Sequence, residues 1–198
     1  MITKSSLEFF FKKILDIAIE NYDEFNTLDG QLGDGDLGIT ISKGLLSIKD
    51  NLAQFDDDLG KTFMVCAQCF TKASSSSFGT LVAISFMTIA KEVKGKNSIE
   101  INEFSKIIDK VIEAICTRGK SNIGDKTFVD SLYAISKTIN NNKDNYGKLI
   151  HEATLNALNE FKGKECKIGR ARMFAEKSKQ LNDPGMFAIH KLSSIFIE

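Results

Sequence analysis

The sequence predicts an all-α protein, on three observations. Apolar residues recur at three- and four-residue intervals over long segments, a single proline, Pro184, interrupts 198 residues, and no stretch alternates cleanly enough to be read as a strand. About eight such segments are separated by turns rich in glycine or asparagine. With 42% hydrophobic residues the chain can build a sizeable core, and its length fits a single domain over residues 1–198.

Each helix has its own signals. The first is expected to open at Ser5, with Glu8 completing a capping box, and to lay Leu7, Phe10, Phe11, Ile14 and Ala18 along one face before a glycine-rich aspartate stretch. The second should begin near Gly38 or Ile39 and run to about Ala53. Asp56, Asp57 and Asp58 then read as a solvated turn and helix N-terminus. A third helix spans roughly Leu59 to Lys72, and the run Ser74 to Ser77 reads as a polar loop facing a ligand before a fourth, about Phe78 to Val93. Phe104, Ile107, Ile108, Val111 and Ile115 mark the buried side of the fifth, with Gly119 as its C′ stop. Asp125 can cap the sixth, whose first turn holds Thr127 and the capping-box acid Asp130, and asparagines between Asn140 and Asn145 end it. The seventh, about Tyr146 to Lys162, turns Leu149, Ala153, Leu155 and Leu158 inward. A basic, irregular stretch follows, and Asp183 with Pro184 starts a last helix through Ile195.

Composition narrows the function classes. Lysine plus arginine balances aspartate plus glutamate at 26 each, so no overall basic field points to nucleic acid. The longest strongly apolar run, Leu81 to Ala90, is too short to span a membrane. Four cysteines are too few for a disulfide scaffold, and the N-terminal MITKSSLEFFFKK has no signal-peptide pattern, so a reducing, cytoplasmic setting is expected.

The densest chemistry lies in Leu28 to Thr40, LDGQLGDGDLGIT, where Asp29, Asp34 and Asp36 stand among Gly30, Gly33, Gly35 and Gly38. Carboxylate oxygens suit hard divalent cations, and glycine lets main-chain N–H groups approach a ligand closely. An EF-hand fails, because the twelfth position from Asp34 is Leu45 and from Asp29 is Thr40, where a bidentate glutamate is required. Three carboxylates within ~5 Å repel by about 3 kcal/mol per pair at an effective dielectric near 20, a cost that a cation between them removes. A tight turn decorated with surface aspartates is the plain alternative. Three aspartates suit two Mg²⁺ ions bridging the phosphates of a nucleotide, with free N–H groups of the following helix on the same anion.

Other candidates carry less. Cys66 and Cys69 form a lone CxxC in an apolar helix, and Cys116 and Cys166 are isolated, so packing is the expected role. His151 and His190 lack a nearby nucleophile pattern and read as surface or packing residues. Arg170, Arg172 and Lys167 form either a solvated basic loop or a phosphate clamp.

Four segments together resemble the L subunit of dihydroxyacetone kinase, the DAK2 domain: LDGQLGDGDLG its metal loop, KASSSSFGT its serine- and glycine-containing loop, TRGKSNIGDKTFVD its signature, and GRARMFAEKSKQLNDPG its C-terminal loop. They stand in family order and cover nearly the whole chain. The resemblance implies an antiparallel up-and-down barrel of eight helices with a nucleotide at one end. It implies two Mg²⁺ ions on Asp29, Asp34 and Asp36, and phosphates of ADP or ATP along Leu37, Gly38, Ile39 and Thr40. Further nucleotide contacts would come from Ala73, Ser74, Gly119, Phe128, the clamp Arg170, and the turn Asp183, Pro184, Gly185. No catalytic base is expected on this chain. The family pairs such a protein with a K subunit that holds dihydroxyacetone and, in some systems, with a phosphocarrier M subunit that recharges bound ADP. Partners of both kinds are therefore implied, and a homodimer is left open.

Two departures stand out. Leu37 occupies a position where the family usually has histidine, and Thr71, Lys72 and Ser75 stand where glycine is usual. They leave room for a branch acting on another short ketose such as a tetrulose. A nucleotide-sensing interaction module and a magnesium-dependent phosphohydrolase acting alone are the competing readings.

Overall fold

The computed structural model describes residues 1–142 and 145–197, and the chain is all-α. Among the described residues the helices are α1 (Lys4–Glu20), α2 (Tyr22–Leu32), α3 (Leu37–Asp50), α4 (Leu59–Ala73), α5 (Ser77–Glu92), α6 (Ile101–Gly119), α7 (Phe128–Asn141), α8 (Tyr146–Glu160), α9 (Ala175–Gln180) and α10 (Pro184–Leu192). Short 3₁₀ turns follow at Leu52–Gln54, Arg170–Phe174 and Ser193–Phe196. The eight helices expected from periodicity are all present. The two additions are α2, hidden inside the aspartate stretch, and α9, within the basic segment.

α1, α3, α4, α5, α6, α7 and α8 pack each on the next, and the Ser193–Phe196 turn meets both α8 and α1 to close the ring. α10 lies against α7, α8 and α2. The interior is one apolar cluster to which most helices contribute, with Phe11 set edge-on to both Phe55 and Phe86. Gly44 on α3 makes room for the Phe70 ring of α4, since a Cβ there would sit 2.4 Å from it. One pair of two-residue strands, β1 (Ile2–Thr3) and β2 (Ser98–Ile99), pins the start of α1 antiparallel to the α5–α6 connection.

Several helix ends differ from the sequence reading, for local reasons. Thr3, not Ser5, caps α1, because Ser6 lies three residues on and its hydroxyl returns the bond to the Thr3 N–H. Lys120, not Gly119, takes the left-handed conformation that ends α6. Thr127 rather than Asp125 caps α7, with Asp130 closing the box as expected. Leu155 faces solvent, and Ile150, Thr154, Ala157 and Leu158 form the buried side of α8. α7 ends within the expected asparagine stretch, of which residues 143 and 144 lie outside the described residues. The last helix gives way to 3₁₀ geometry after Leu192. Asp58 caps α4 by accepting from the Gly60 N–H at 2.8 Å, as the acidic turn predicted.

The two histidines are half-buried and pack on each other, in keeping with the packing reading. Their rings stack 4.6 Å apart between α8 and α10, with His151 Nδ1 2.9 Å from Ser193 Oγ and His190 Nδ1 3.0 Å from Thr154 Oγ1. Burial, then the neighbouring His151 and Lys191, hold His190 below its ordinary value of 6.5. The folded chain thus binds its proton less readily than the unfolded chain does, so stability from this group is complete above pH 6.5 and declines as pH falls below it. Urea melts from pH 7 downward should show a smaller loss of stability for the double variant H151Q/H190Q than for the wild type; equal slopes would contradict this account.

Candidate functional site

The site is built where α2 meets α3. Asp29 lies in the last turn of α2, Asp34 in the connection, and Asp36 at the N-cap of α3. One carboxylate oxygen from each comes within 4.8 Å of the others. Asp29 Oδ2 accepts the Asp36 N–H at 3.0 Å, which folds the connection back over the helix end. That path needs two bare residues in contact: Gly35, at φ +74°, would bring a Cβ to 3.5 Å from the Gly30 Cα. Burial raises the Asp29 carboxyl above its usual range, with Asp34 and Asp36 adding to the shift, and burial followed by Asp34 does the same to Asp36. Both hold a proton more readily than a free aspartate. The donor set, three hard anionic oxygens at one point, fits a divalent cation.

Asn26, which sequence reasoning missed, fixes α3 to α2. Its Oδ1 accepts the Gly38 N–H at 2.7 Å and the Ile39 N–H at 3.2 Å. The expectation of free N–H groups at these two positions is therefore corrected. Gly38 packs so closely that a Cβ would lie 2.4 Å from the Tyr22 carbonyl oxygen. Leu37 directs its side chain into the core, so only its main chain belongs to the loop surface. Had α2 been read as a helix, Asn26 would have stood three residues before Asp29 on the same face.

The remaining loops gather on this end in succession. Buried Thr40 on α3 places its hydroxyl 3.1 Å from Ser74 Oγ and 3.0 Å from Ser76 Oγ, and Ser76 caps α5 through the Gly79 N–H. Two of the serines thus face inward and order the loop that follows Ala73, rather than all facing a ligand. Phe78 continues the line edge-on to Phe128 at 5.2 Å, and Gly185 sits against the Phe128 Cβ and the Phe78 ring. Gly119 lies beside Ser121 and Leu81. Asp183 caps α10 through the Met186 N–H at 2.8 Å, and burial pushes its carboxyl up to about 7. On the open side, Arg170 pairs through Nη1 with Asp34 Oδ2. It is carried there by Ala171, which packs with Cys166 against Leu32 at the end of α2. Arg172 and Lys167 stay away from the carboxylates: Lys167 Nζ is 3.8 Å from Asp125, and Arg172 is exposed.

Cys66 and Cys69 are buried, free and packed in the core, as expected. A cleft of about 510 Å³ opens between Lys4, Glu8 and Asp57, beside the turn after α3. It has no carboxylate cluster and no glycine-rich loop.

Residues 31–197 match the DAK2 domain family. The chain belongs to that family. It is 30% identical over 199 residues to a probable dihydroxyacetone kinase of Dictyostelium discoideum, a match covering 90% of this chain and 31% of the relative. It is 27% identical over 170 residues to the ADP-binding subunit DhaL of a PEP-dependent dihydroxyacetone kinase of Listeria innocua, covering 85% and 83%. In fold, this DAK2 chain superposes on the crystal structure of the dihydroxyacetone kinase of C. freundii with a TM-score of 0.77 at 18% identity, covering 96% of this chain and 33% of that one. The same enzyme in complex with AMP-PNP and Mg²⁺ gives 0.74. The DAK2 chain thus spans about a third of the first relative and of the C. freundii enzyme, and most of the Listeria subunit.

Because one Asn26 oxygen holds two N–H groups of α3, replacing it by alanine removes a cap. N26A should lower the free energy of unfolding by about 1–2 kcal/mol, read as a lower urea midpoint at unchanged slope. A midpoint equal to wild type would remove Asn26 from the account.

Proposed function

We propose that this chain is the nucleotide-bearing subunit or domain of a dihydroxyacetone-type kinase, holding ADP or ATP with Mg²⁺ so that phosphate passes to a hydroxyl of a short ketose held by a separate K-like subunit or domain. The observation that carries the reading is the convergence of Asp29, Asp34 and Asp36 within 4.8 Å. Around them lie the serine loop, the Phe78–Phe128 ring pair and Arg170. The relatives named as dihydroxyacetone kinases and as an ADP-binding subunit support it.

In this reading each element has a chemical task. Asp29, Asp34 and Asp36 would hold the metal, two ions on the family pattern, and bound Mg²⁺ supplies charge neutralisation to phosphate oxygens. Arg170 is largely exposed, so its guanidinium can exchange Asp34 for a phosphate and offer two parallel N–H donors. Leu37, Gly38, Ile39 and Thr40 line the phosphates through the start of α3, and Ala73 and Ser74 present the loop opposite. Phe128, Gly119 and the Asp183, Pro184, Gly185 turn offer apolar and main-chain surface to the base. No side chain on this chain is assigned as a general base, so the acceptor hydroxyl must be oriented by the partner. The donor is either free ATP or bound ADP recharged by an M-like phosphocarrier, and the acceptor is dihydroxyacetone or another short ketose such as a tetrulose. We place the reaction in the cytoplasm. Among the described residues no helix is long and apolar enough to cross a membrane.

Isothermal titration with ADP should show binding that requires Mg²⁺ and is lost in D34A/D36A. Binding that is indifferent to Mg²⁺, or that survives this double replacement, would overturn the metal assignment. Mixing the chain with a K-like subunit and dihydroxyacetone should yield sugar phosphate from ATP, or from a phosphorylated M-like carrier when ADP is bound. Bound nucleotide without sugar phosphate under either donor would favour a nucleotide-sensing module.

A further inference from the structure

Lys126 is the one lysine among the described residues whose side chain is fully enclosed, at 1% exposure. Its ammonium donates to three main-chain carbonyls, those of Lys164 at 2.8 Å, Ser178 at 2.7 Å and Leu181 at 2.8 Å. An ammonium has three N–H donors, so its hydrogen-bonding capacity is filled by main-chain oxygens alone. The backbone bends to permit it: Lys126 has φ +61° in the turn before α7, a conformation that costs a non-glycine residue energy.

The three acceptors bracket Arg170. Lys164 precedes it and Ser178 and Leu181 follow, so the residues between 163 and 181 form a loop closed around one cation. The loop has a second closure at its base, where the Gly163 N–H donates to the Lys179 carbonyl at 3.1 Å. It has a third at Cys166, whose N–H donates to Ser178 Oγ at 2.9 Å. Asp125, next to Lys126, accepts the Lys167 N–H on its own carbonyl at 3.1 Å. Leu32 at the end of α2 packs with Cys166, Ala171 and Leu181 of this loop. Without the ammonium, three carbonyls would face one another in a water-poor interior, and that repulsion would open the loop.

We propose that Lys126 is a positioning residue: protonated and buried, it closes the 163–181 loop and thereby sets Arg170 opposite the carboxylates. Its effect on nucleotide binding rests on the site reading above, whereas its effect on the loop does not. Three measurements separate the two. In wild-type protein, ¹H–¹⁵N spectra of lysine side chains at neutral pH should show one ammonium whose protons exchange slowly, assigned to Lys126; its absence would overturn the clamp. In Lys126→Met, hydrogen exchange should quicken in residues 163–181 and stay unchanged in α3 to α6, while uniform quickening or no change would contradict a local role. For Mg²⁺·ADP affinity, K126M and R170A should each lose about 10- to 100-fold, the range of a charge-assisted contact, and the double variant should lose no more than either single one. Losses that multiply would show that Lys126 does not act through Arg170. A wild-type chain that fails to bind Mg²⁺·ADP would count against the nucleotide site, and the exchange measurements would still decide the clamp. If K126M does not fold, the ammonium spectrum of the wild type decides it.

Discussion

Three like charges gathered at one point define what the surrounding structure has to do. Asp29, Asp34 and Asp36 repel one another, and the loop that joins them would spread if left free. The chain restrains it with short-range devices rather than with bulk packing. The Asp36 N–H bonds back to Asp29, Gly30 and Gly35 lie against each other, and Asn26 ties the first turn of α3 to α2. Burial first, and the neighbouring carboxylates after it, raise the proton affinity of Asp29 and Asp36. Arg170 supplies a partial countercharge from outside, at an exposed position where an ion pair adds little stability and can exchange partners.

The legibility of this protein in its sequence followed the range of the signal. Periodicity over two or more turns identified eight helices, because an amphipathic face is written in the residues that bury it. α2 escaped because its last turn is Asp29, Gly30, Gln31 and Leu32, whose glycine and aspartate read as loop, while Phe25 and Leu32 alone mark its buried side. Tertiary contact with α3 and α10 overrides that weak local preference. Caps failed where a hydroxyl or carboxylate one or two residues away offered the better geometry, as at Thr3 and Thr127.

The same division holds for the site. Glycine density and carboxylate spacing pointed to the aspartates, and they do converge. Lys126 stood in plain view within the signature segment, yet nothing in GDKTF distinguishes a buried lysine from a solvated one. What buries it is a segment some forty residues later, and such long-range closure leaves no local trace. Leu37 is a departure whose orientation only the fold decides. Where the family usually has histidine, the helix turns this leucine side chain inward, so the position contributes core volume and leaves the surface to its main chain.

The tight seat of Gly38 against the Tyr22 carbonyl has an entropic consequence. It fixes α3 against α2 at the helix ends that carry Asp29 and Asp36, which lowers the freedom those residues have to lose when a ligand binds. The loop that carries Arg170 is held differently, by hydrogen bonds to the Lys126 ammonium, so the two halves of the site are fixed by devices of different kinds. The welded half discriminates by fixed size and charge. The half that carries Arg170 hangs on one ammonium, which makes it the part of the molecule where affinity can be tuned without disturbing the shape of the carboxylate cluster.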